Sequence, residues 1–176
     1  MSKLKSEVIR YSKKLNITNL SALRSGNISV RVKEKGVEGF YITPSGRKYS
    51  SLKAKDIVFV SLKGVYDKKK GKPSSEWRFH QDIYVNKKEA KAIVHAHSTC
   101  ATAVSTHQKS IPAFHYMVAV AGGEDIKCSK YATFGTKCLS RNIIKALKNR
   151  SACLIANHGQ VAFGENLKKT FELAQE

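Results

Sequence analysis

An apolar run that ends in two histidines one residue apart, Ile93-Val94-His95-Ala96-His97-Ser98, constrains this chain more than any other stretch. Alternate side chains of a strand share a face. At about 3.3 Å of rise per residue the two Cα atoms lie about 6.6 Å apart, close enough for both rings to reach one ion. Ala92, Ile93, Val94 and Ala96 make the strand a largely buried one, and polar rings in an apolar interior need partners. A shared metal ion supplies them most simply; for the pair taken alone, a satisfied core pair is the competing reading.

The 176 residues suffice for one domain with a sizeable core, and we read a single domain over 1–176. No apolar stretch reaches the roughly 18 residues of a membrane span, and Met1–Lys14 carries lysines among polar residues where a signal peptide has its apolar block. A cytoplasmic protein without membrane contact is expected. Cys100, Cys128, Cys138 and Cys153 show no C-x-x-C pairing and are expected to be buried free thiols. The formal charge of +19 comes mostly from scattered lysine, densest at Asp67–Lys72 and Asn86–Lys91, a turn and a helix end. No basic helix is interleaved with aromatics and no zinc-finger pattern occurs, so the lysines read as a solvated surface and no nucleic-acid partner is expected.

Spacing places the elements. Leu4, Val8, Tyr11 and Leu15 mark an opening helix that ends near Asn16–Asn19. Asn27–Val32, Phe40–Ile42 and Asp56–Ser61 read as strands, with Thr43-Pro44-Ser45-Gly46 as a turn. A helix is expected over Glu76–Asn86, then the histidine strand, then a helix over Ser98–Thr106. Gly135-Thr136 opens an amphipathic helix with Leu139, Ile143, Ile144 and Leu147 on one face. Cys153–Ala156 and Gln160–Phe163 are strands around Asn157-His158-Gly159, and a last helix begins near Asn166. Helices alternating with hairpin-like strand pairs predict a layered α/β domain with a largely antiparallel or mixed sheet.

Four places can carry chemistry. His95, His97 and His158 form a set of three imidazoles of the kind that holds a catalytic zinc, with Glu76, at a helix start, as the nearby carboxylate. Gly26-Asn27, Ser45-Gly46 and Ser74-Ser75 make an anion pocket, since glycines let the backbone approach, serines add donors and a helix N-terminus adds a favourable dipole. Tyr116 is a phenol able to act as acid or base, or a core tyrosine. Phe134 either walls an apolar part of a substrate or anchors its turn. His80, His107 and His115 read as helix, surface and structural residues.

In order, Ser25-Gly-Asn-Ile-Ser29, Ile42-Thr-Pro-Ser-Gly46, Pro73-Ser-Ser-Glu-Trp-Arg-Phe-His80, Ile93-Val-His-Ala-His97, His115-Tyr-Met117, Tyr131-Ala-Thr-Phe-Gly-Thr136 and Asn157-His-Gly-Gln160 resemble the class II aldolase/adducin family. The resemblance runs from the first helix to Glu176. It implies a three-layer α/β/α domain with a central, mainly antiparallel sheet, assembled as a homotetramer with active sites between subunits. It implies one zinc ion per subunit on His95, His97 and His158, with Glu76 as the fourth ligand that also moves a proton. It puts a substrate phosphate at Gly26, Asn27, Ser45, Gly46, Ser74 and Ser75, Tyr116 of an adjacent subunit at the substrate hydroxyl, and Phe134 on the aldehyde side. The implied reaction is reversible cleavage of a ketose 1-phosphate, L-fuculose 1-phosphate above others, to dihydroxyacetone phosphate and L-lactaldehyde. Pentulose-5-phosphate 4-epimerisation, methylthioribulose-1-phosphate dehydration and a non-catalytic adducin-like module are the alternatives. The family's C-terminal segment is expected to be missing, and Arg24 stands where the family has smaller residues.

Overall fold

Five helices and seven strands form among the described residues, all but one short edge strand where the apolar spacing asks for them. The computed structural model describes residues 3–176; Met1 and Ser2, where the expected domain range begins, lie outside them. In chain order the elements are α1 (Lys3–Ile17), β1 (Asn27–Glu34), β2 (Val37–Ile42), β3 (Val58–Ser61), α2 (Trp77–Asn86), β4 (Ala92–Ala96), α3 (Thr99–Ser105), β5 (Cys128–Ser129), α4 (Lys137–Ala146), β6 (Ala152–Ile155), β7 (Gly159–Gly164) and α5 (Leu167–Gln175). A 3₁₀ helix at Tyr116–Ala121 precedes β5.

The strands make one sheet in the order β3-β2-β1-β4-β7-β6-β5, antiparallel at every step except the parallel β5–β6 edge. Because side chains alternate across a strand, the central strands feed two cores. Ile28 and Val30 of β1 and Ala92, Val94 and Ala96 of β4 pack with Val8, Tyr11 and Leu15 of α1 and Phe171 of α5. On the opposite face Ile93, Val161 and Phe163 pack with Phe79 and Ile83 of α2 and Leu139 and Ile143 of α4. The result is the layered α/β domain expected from the residue pattern, in the α/β/α form that the family resemblance implies and with a mostly antiparallel sheet. Each of these large apolar side chains contributes about 1.5–3 kcal/mol by leaving water. No helix among the described residues is long and apolar enough to cross a membrane.

Three expectations need correction. The third strand begins at Val58, because Ala54–Asp56 closes a 3₁₀ turn in which Asp56 Oδ2 accepts from the Lys53 backbone N–H at 2.8 Å. The two-residue β5 was not expected; it is too short to show a period and exists only as an edge paired with β6. Of the four cysteines only Cys153 is buried; Cys100 and Cys138 sit exposed in the first turns of α3 and α4, and Cys128 is half-buried.

The layering decides where the polar residues of the sheet go. Asn27, Ser29, Ile93 and His95 occupy the β1 and β4 positions that face α2, and Asn27 is paired directly with His95 in the strand register. Two glycines permit the close approaches at this end of the sheet. Gly26, at φ +78°, brings its backbone so near β4 that a Cβ would stand 2.6 Å from the His95 carbonyl oxygen, and a Cβ on Gly159 would stand 2.3 Å from that of Ala96.

Candidate metal centre and anion cavity

Glu76, His95, His97 and His158 converge from three parts of the fold. His95 leaves the end of β4 and is completely buried. His97 follows one residue past the strand, its backbone N–H donating to Ser21 Oγ at 2.9 Å. His158 sits in the β6–β7 turn next to Asn157, which takes a left-handed φ of 55°. That turn is tied to α3, since the His158 N–H donates to Ser105 Oγ at 3.2 Å. Glu76 is the N-cap residue of α2, but its side chain accepts no capping bond and turns instead to the histidines.

The geometry is that of a ligand set. His97 Nε2 lies 2.9 Å from His95 Nε2, Glu76 Oε2 lies 3.1 Å from His95 Nε2, and Glu76 Oε1 lies 3.3 Å from His158 Nε2. All four ligand atoms fall within 4.8 Å of one another. Atoms at the corners of a tetrahedron about 2.0–2.2 Å from a central ion stand about 3.3–3.6 Å apart, so a small movement accommodates one. His95 Nδ1–H donates to the Gln160 carbonyl at 2.8 Å, which fixes the tautomer and leaves the Nε2 lone pair facing the cluster. Glu76 Oε1 is buried without a hydrogen-bond partner. An orphaned carboxylate oxygen among three imidazole nitrogens is what a divalent cation would satisfy, and the donor set suits zinc and its neighbours.

Without a metal the charges sort themselves. Burial works against ionisation of Glu76, yet the adjacent His95 and His158 and the Asn27 amide bring its pKa down to about 2. His95 is opposed by burial too, but the Glu76 charge beside it raises its pKa on balance. Burial, then the charge on His95, push His97 down to about 3 and His158 down to about 4. At neutral pH, Glu76 is therefore an anion and His97 and His158 offer neutral lone pairs, as metal ligation requires.

The cluster forms one wall of a cavity of about 360 Å³, within the range of small-molecule sites. Gly26, Asn27, Ser45, Gly46, Ser74 and Ser75 line it, as do Glu76, His97 and His158, with Phe134 at its rim, 63% exposed. Ser45 and Ser74 are drawn together by the short bridge between Pro44 and Pro73 and by the Ser74 N–H donating to the Thr43 carbonyl at 2.9 Å. Asn27 differs from the others. Its side chain is almost fully buried, and its amide is shared between Glu76 and His80, so it faces the cluster and not open solvent. Arg24 also lines the cavity, where its guanidinium donates to the Gly46 carbonyl at 3.1 Å. Tyr116 is not part of this cavity; it opens the 3₁₀ helix, 79% exposed, with its ring on His115.

His80 was read from the sequence as a residue of the helix with no part in a site, yet it is wholly buried beside the cluster. A signal for it was present. Glu76, His80 and Tyr84 are four residues apart on α2 and so share a face, while Asn27, Ser29 and Arg31 alternate along β1 and share another. The structure brings these two polar rows together.

Comparison with known proteins agrees with this geometry. The profile of the Class II Aldolase and Adducin N-terminal domain matches residues 6–176. A 5-methylthioribulose-1-phosphate/5-deoxyribulose-1-phosphate aldolase of Rhodospirillum rubrum is 43% identical over 173 residues, 98% of this chain and 76% of that protein. The L-fuculose phosphate aldolase of Escherichia coli K12 is 43% identical over 175 residues, 99% of this chain and 79% of its own. A solved L-fuculose 1-phosphate aldolase superposes with a TM-score of 0.92 at 41% identity, covering 99% of this chain and 81% of that one.

Proposed function

The chain belongs to the class II aldolase and adducin N-terminal domain family and is an aldehyde-lyase, and on that premise we propose that it cleaves a ketose 1-phosphate, L-fuculose 1-phosphate first, to dihydroxyacetone phosphate and L-lactaldehyde. One observation carries the reading: the orphaned Glu76 oxygen, set among three imidazole nitrogens, lies on the wall of the cavity that the Ser45-Gly46 and Ser74-Ser75 turns line. A metal site and an anion site in one cavity suit a phosphorylated substrate whose reaction builds negative charge. In this reading the metal is zinc, one per subunit, and the protein is a cytoplasmic homotetramer. The four unpaired cysteines fit a reducing compartment.

Cleavage breaks the C3–C4 bond. The C4 hydroxyl loses its proton as the aldehyde carbonyl forms, and the electron pair of the broken bond stays on C3 until a proton is added there. His95, His97, His158 and Glu76 would hold a divalent cation, which would supply Lewis-acid stabilisation of the negative charge that the cleavage develops. Glu76, an anion at rest, takes up a proton from solvent and delivers it to C3 in the cleavage direction, and as the carboxylate removes that proton in the reverse direction. Tyr116, exposed on its own subunit and contributed to the site of a neighbour, handles the C4 hydroxyl proton. The Ser45, Ser74 and Ser75 hydroxyls and the backbone at Gly26 and Gly46 hold the phosphate at the N-terminal end of α2, while Asn27 closes the same wall. Phe134 borders the aldehyde.

A second reading uses the same residues. The Rhodospirillum rubrum aldolase, at the same 43% identity as the Escherichia coli L-fuculose phosphate aldolase, supports equally a 5-deoxy- or 5-methylthio-ribulose 1-phosphate, whose cleavage leaves a two-carbon aldehyde unit in place of lactaldehyde. The test is zinc-loaded protein assayed against ketose 1-phosphates and 5-phosphates, scoring dihydroxyacetone phosphate release. Release from the 1-phosphates alone, fastest from L-fuculose 1-phosphate, is expected. Faster turnover of 5-deoxyribulose 1-phosphate would select the second reading, and no release from any ketose 1-phosphate would refute both. Glu76→Gln should still bind zinc but lose most turnover; unchanged turnover would remove its proton-transfer role.

A further inference from the structure

A buried chain of hydrogen bonds runs from the middle of α2 to the Glu76 carboxylate, and each link has a definable direction. Asn27 Nδ2 donates to Glu76 Oε2 at 3.0 Å. Only the amide nitrogen can face an anion in this way, so Asn27 Oδ1 must point at His80 Nε2, which is in contact with it. An amide oxygen only accepts, and His80 Nε2 must therefore carry the hydrogen. The His80 ring is fully buried, stacked on Phe79 at 4.7 Å between centroids, and burial pushes its pKa down to about 3. A neutral ring protonated at Nε2 has a bare Nδ1, so at 2.7 Å Ser29 Oγ is the donor to it. Having given its proton, Ser29 Oγ accepts from Tyr84 O–H at 2.8 Å. The sequence Tyr84→Ser29→His80→Asn27→Glu76 has no ambiguous step.

We infer that His80 is a positioning residue: through Asn27 it holds Glu76 Oε2 beside His95 Nε2 and so keeps Oε1 turned toward His158 Nε2. The inference rests on Glu76 being a metal ligand and proton carrier. Without the Nε2–H, only the bond to the carboxylate itself orients the Asn27 amide, and a rotated amide would present its oxygen to the carboxylate. His80 touches neither the ligand atoms nor the cavity. Its effect must pass through Glu76, and this makes it separable from a general packing role.

Asparagine and glutamine at position 80 distinguish the two ends of the ring. By bond count the Gln amide nitrogen reaches the place of His Nε2, whereas Asn reaches only the place of Nδ1. Zinc dissociation constants, measured by chelator competition, should show His80→Asn weakened about 10-fold, within the range for residues behind a metal ligand. His80→Gln should stay within about 3-fold of the parent. In a Glu76→Gln background the His80→Asn effect should vanish, because the group it positions is gone. Equal losses in His80→Asn and His80→Gln, no loss in His80→Asn, or an undiminished loss in the Glu76→Gln background would each overturn the inference. Should the variants fold poorly, ¹⁵N–¹H correlation spectra of the unaltered protein decide. A neutral Nε2–H tautomer for His80 supports the chain of bonds, and an Nδ1–H tautomer or an imidazolium overturns it. Failure of the parent to bind zinc at all is a separate outcome, which removes the metal reading and this inference with it.

Discussion

Acidification of the metal-free protein should unfold it well before its carboxylates titrate. The native state holds three imidazoles neutral: His80 with its pKa at about 3, His97 at about 3 and His158 at about 4, each held down first by burial. In the unfolded chain the same rings take up protons near pH 6.5. His95 has the opposite shift, raised on balance by Glu76 despite its burial, so it keeps its proton through the fold and adds stability as pH falls toward 6.5. Of these four imidazoles the unfolded chain therefore binds all four protons and the native state one, and stability must fall with falling pH from about 6.5 downward. Three protons correspond to about 4 kcal/mol per pH unit, and to about 2–3 kcal/mol once solvent screening of the half-buried His97 and His158 is included. Below the ordinary carboxylate range a second loss follows, because Glu76, with its pKa lowered to about 2 by His95 and His158 against the effect of burial, must be protonated as well. Urea titrations of chelator-stripped protein at pH 7.5, 6.0 and 5.5 measure this, and His80→Gln should reduce the slope by about half, because the fully buried His80 contributes its whole proton, about 1.4 kcal/mol per pH unit. A midpoint unchanged between pH 7.5 and 5.5, or one that rises on acidification, would refute the charge assignment.

Arg24→Met should raise KM for a phosphorylated substrate about 10-fold with little change in kcat, since Arg24 is the cation lining the cavity; equal KM values in steady-state assays would show that it does not meet the phosphate. Gly159→Ala drives a Cβ to within 2.3 Å of the Ala96 carbonyl, where backbone and not a flexible side chain must give way. A loss of about 3 kcal/mol or more is expected by chemical denaturation, with weakened zinc binding because His97 and His158 flank that contact. Thiol labelling followed by mass spectrometry should modify Cys100 and Cys138 first and Cys153 only on unfolding, since Cys153 is buried and burial pushes its thiol pKa far above the usual range.

The fold was legible wherever one period ran long enough to be recognised. Leu4, Val8, Tyr11 and Leu15 give α1 about three turns of a single stripe, and Leu139, Ile143 and the C-cap Leu147 give α4 about two. Thr136 and Asn166 announce α4 and α5, and their side chains accept from Leu139 and Lys169 N–H as N-caps do. What failed were elements that exist only through their neighbours. Cys128–Ser129 becomes a strand by pairing with β6, and the early turn at Ala54–Asp56 comes from a local side-chain bond that the apolar pattern does not record. Apolar neighbours in sequence do not bury a cysteine by themselves, and the first turns of α3 and α4 turn residues 100 and 138 outward.

The site divides along the same line. His95 and His97 were visible because two imidazoles one residue apart at the end of a buried strand need partners, and the structure brings Glu76 and His158 to them from distant parts of the chain. His80 was missed because a lone histidine in a helix says nothing by itself. Its meaning comes from the register that sets Asn27 opposite His95 and turns α2 so that Glu76, His80 and Tyr84 face β1. Tyr116 marks the other boundary, since an exposed phenol outside the cavity of its own chain acquires a role only in an assembly.

The most direct measurement is an anomalous difference map, recorded at the zinc edge, from crystals of the zinc-loaded protein. A single peak is expected about 2.0–2.2 Å from Nε2 of His95, His97 and His158 and from a Glu76 oxygen. A map with no peak among those atoms, or with the zinc bound elsewhere while the three rings keep their 4.7–4.9 Å spacing, would contradict the metal centre from which the reaction is argued.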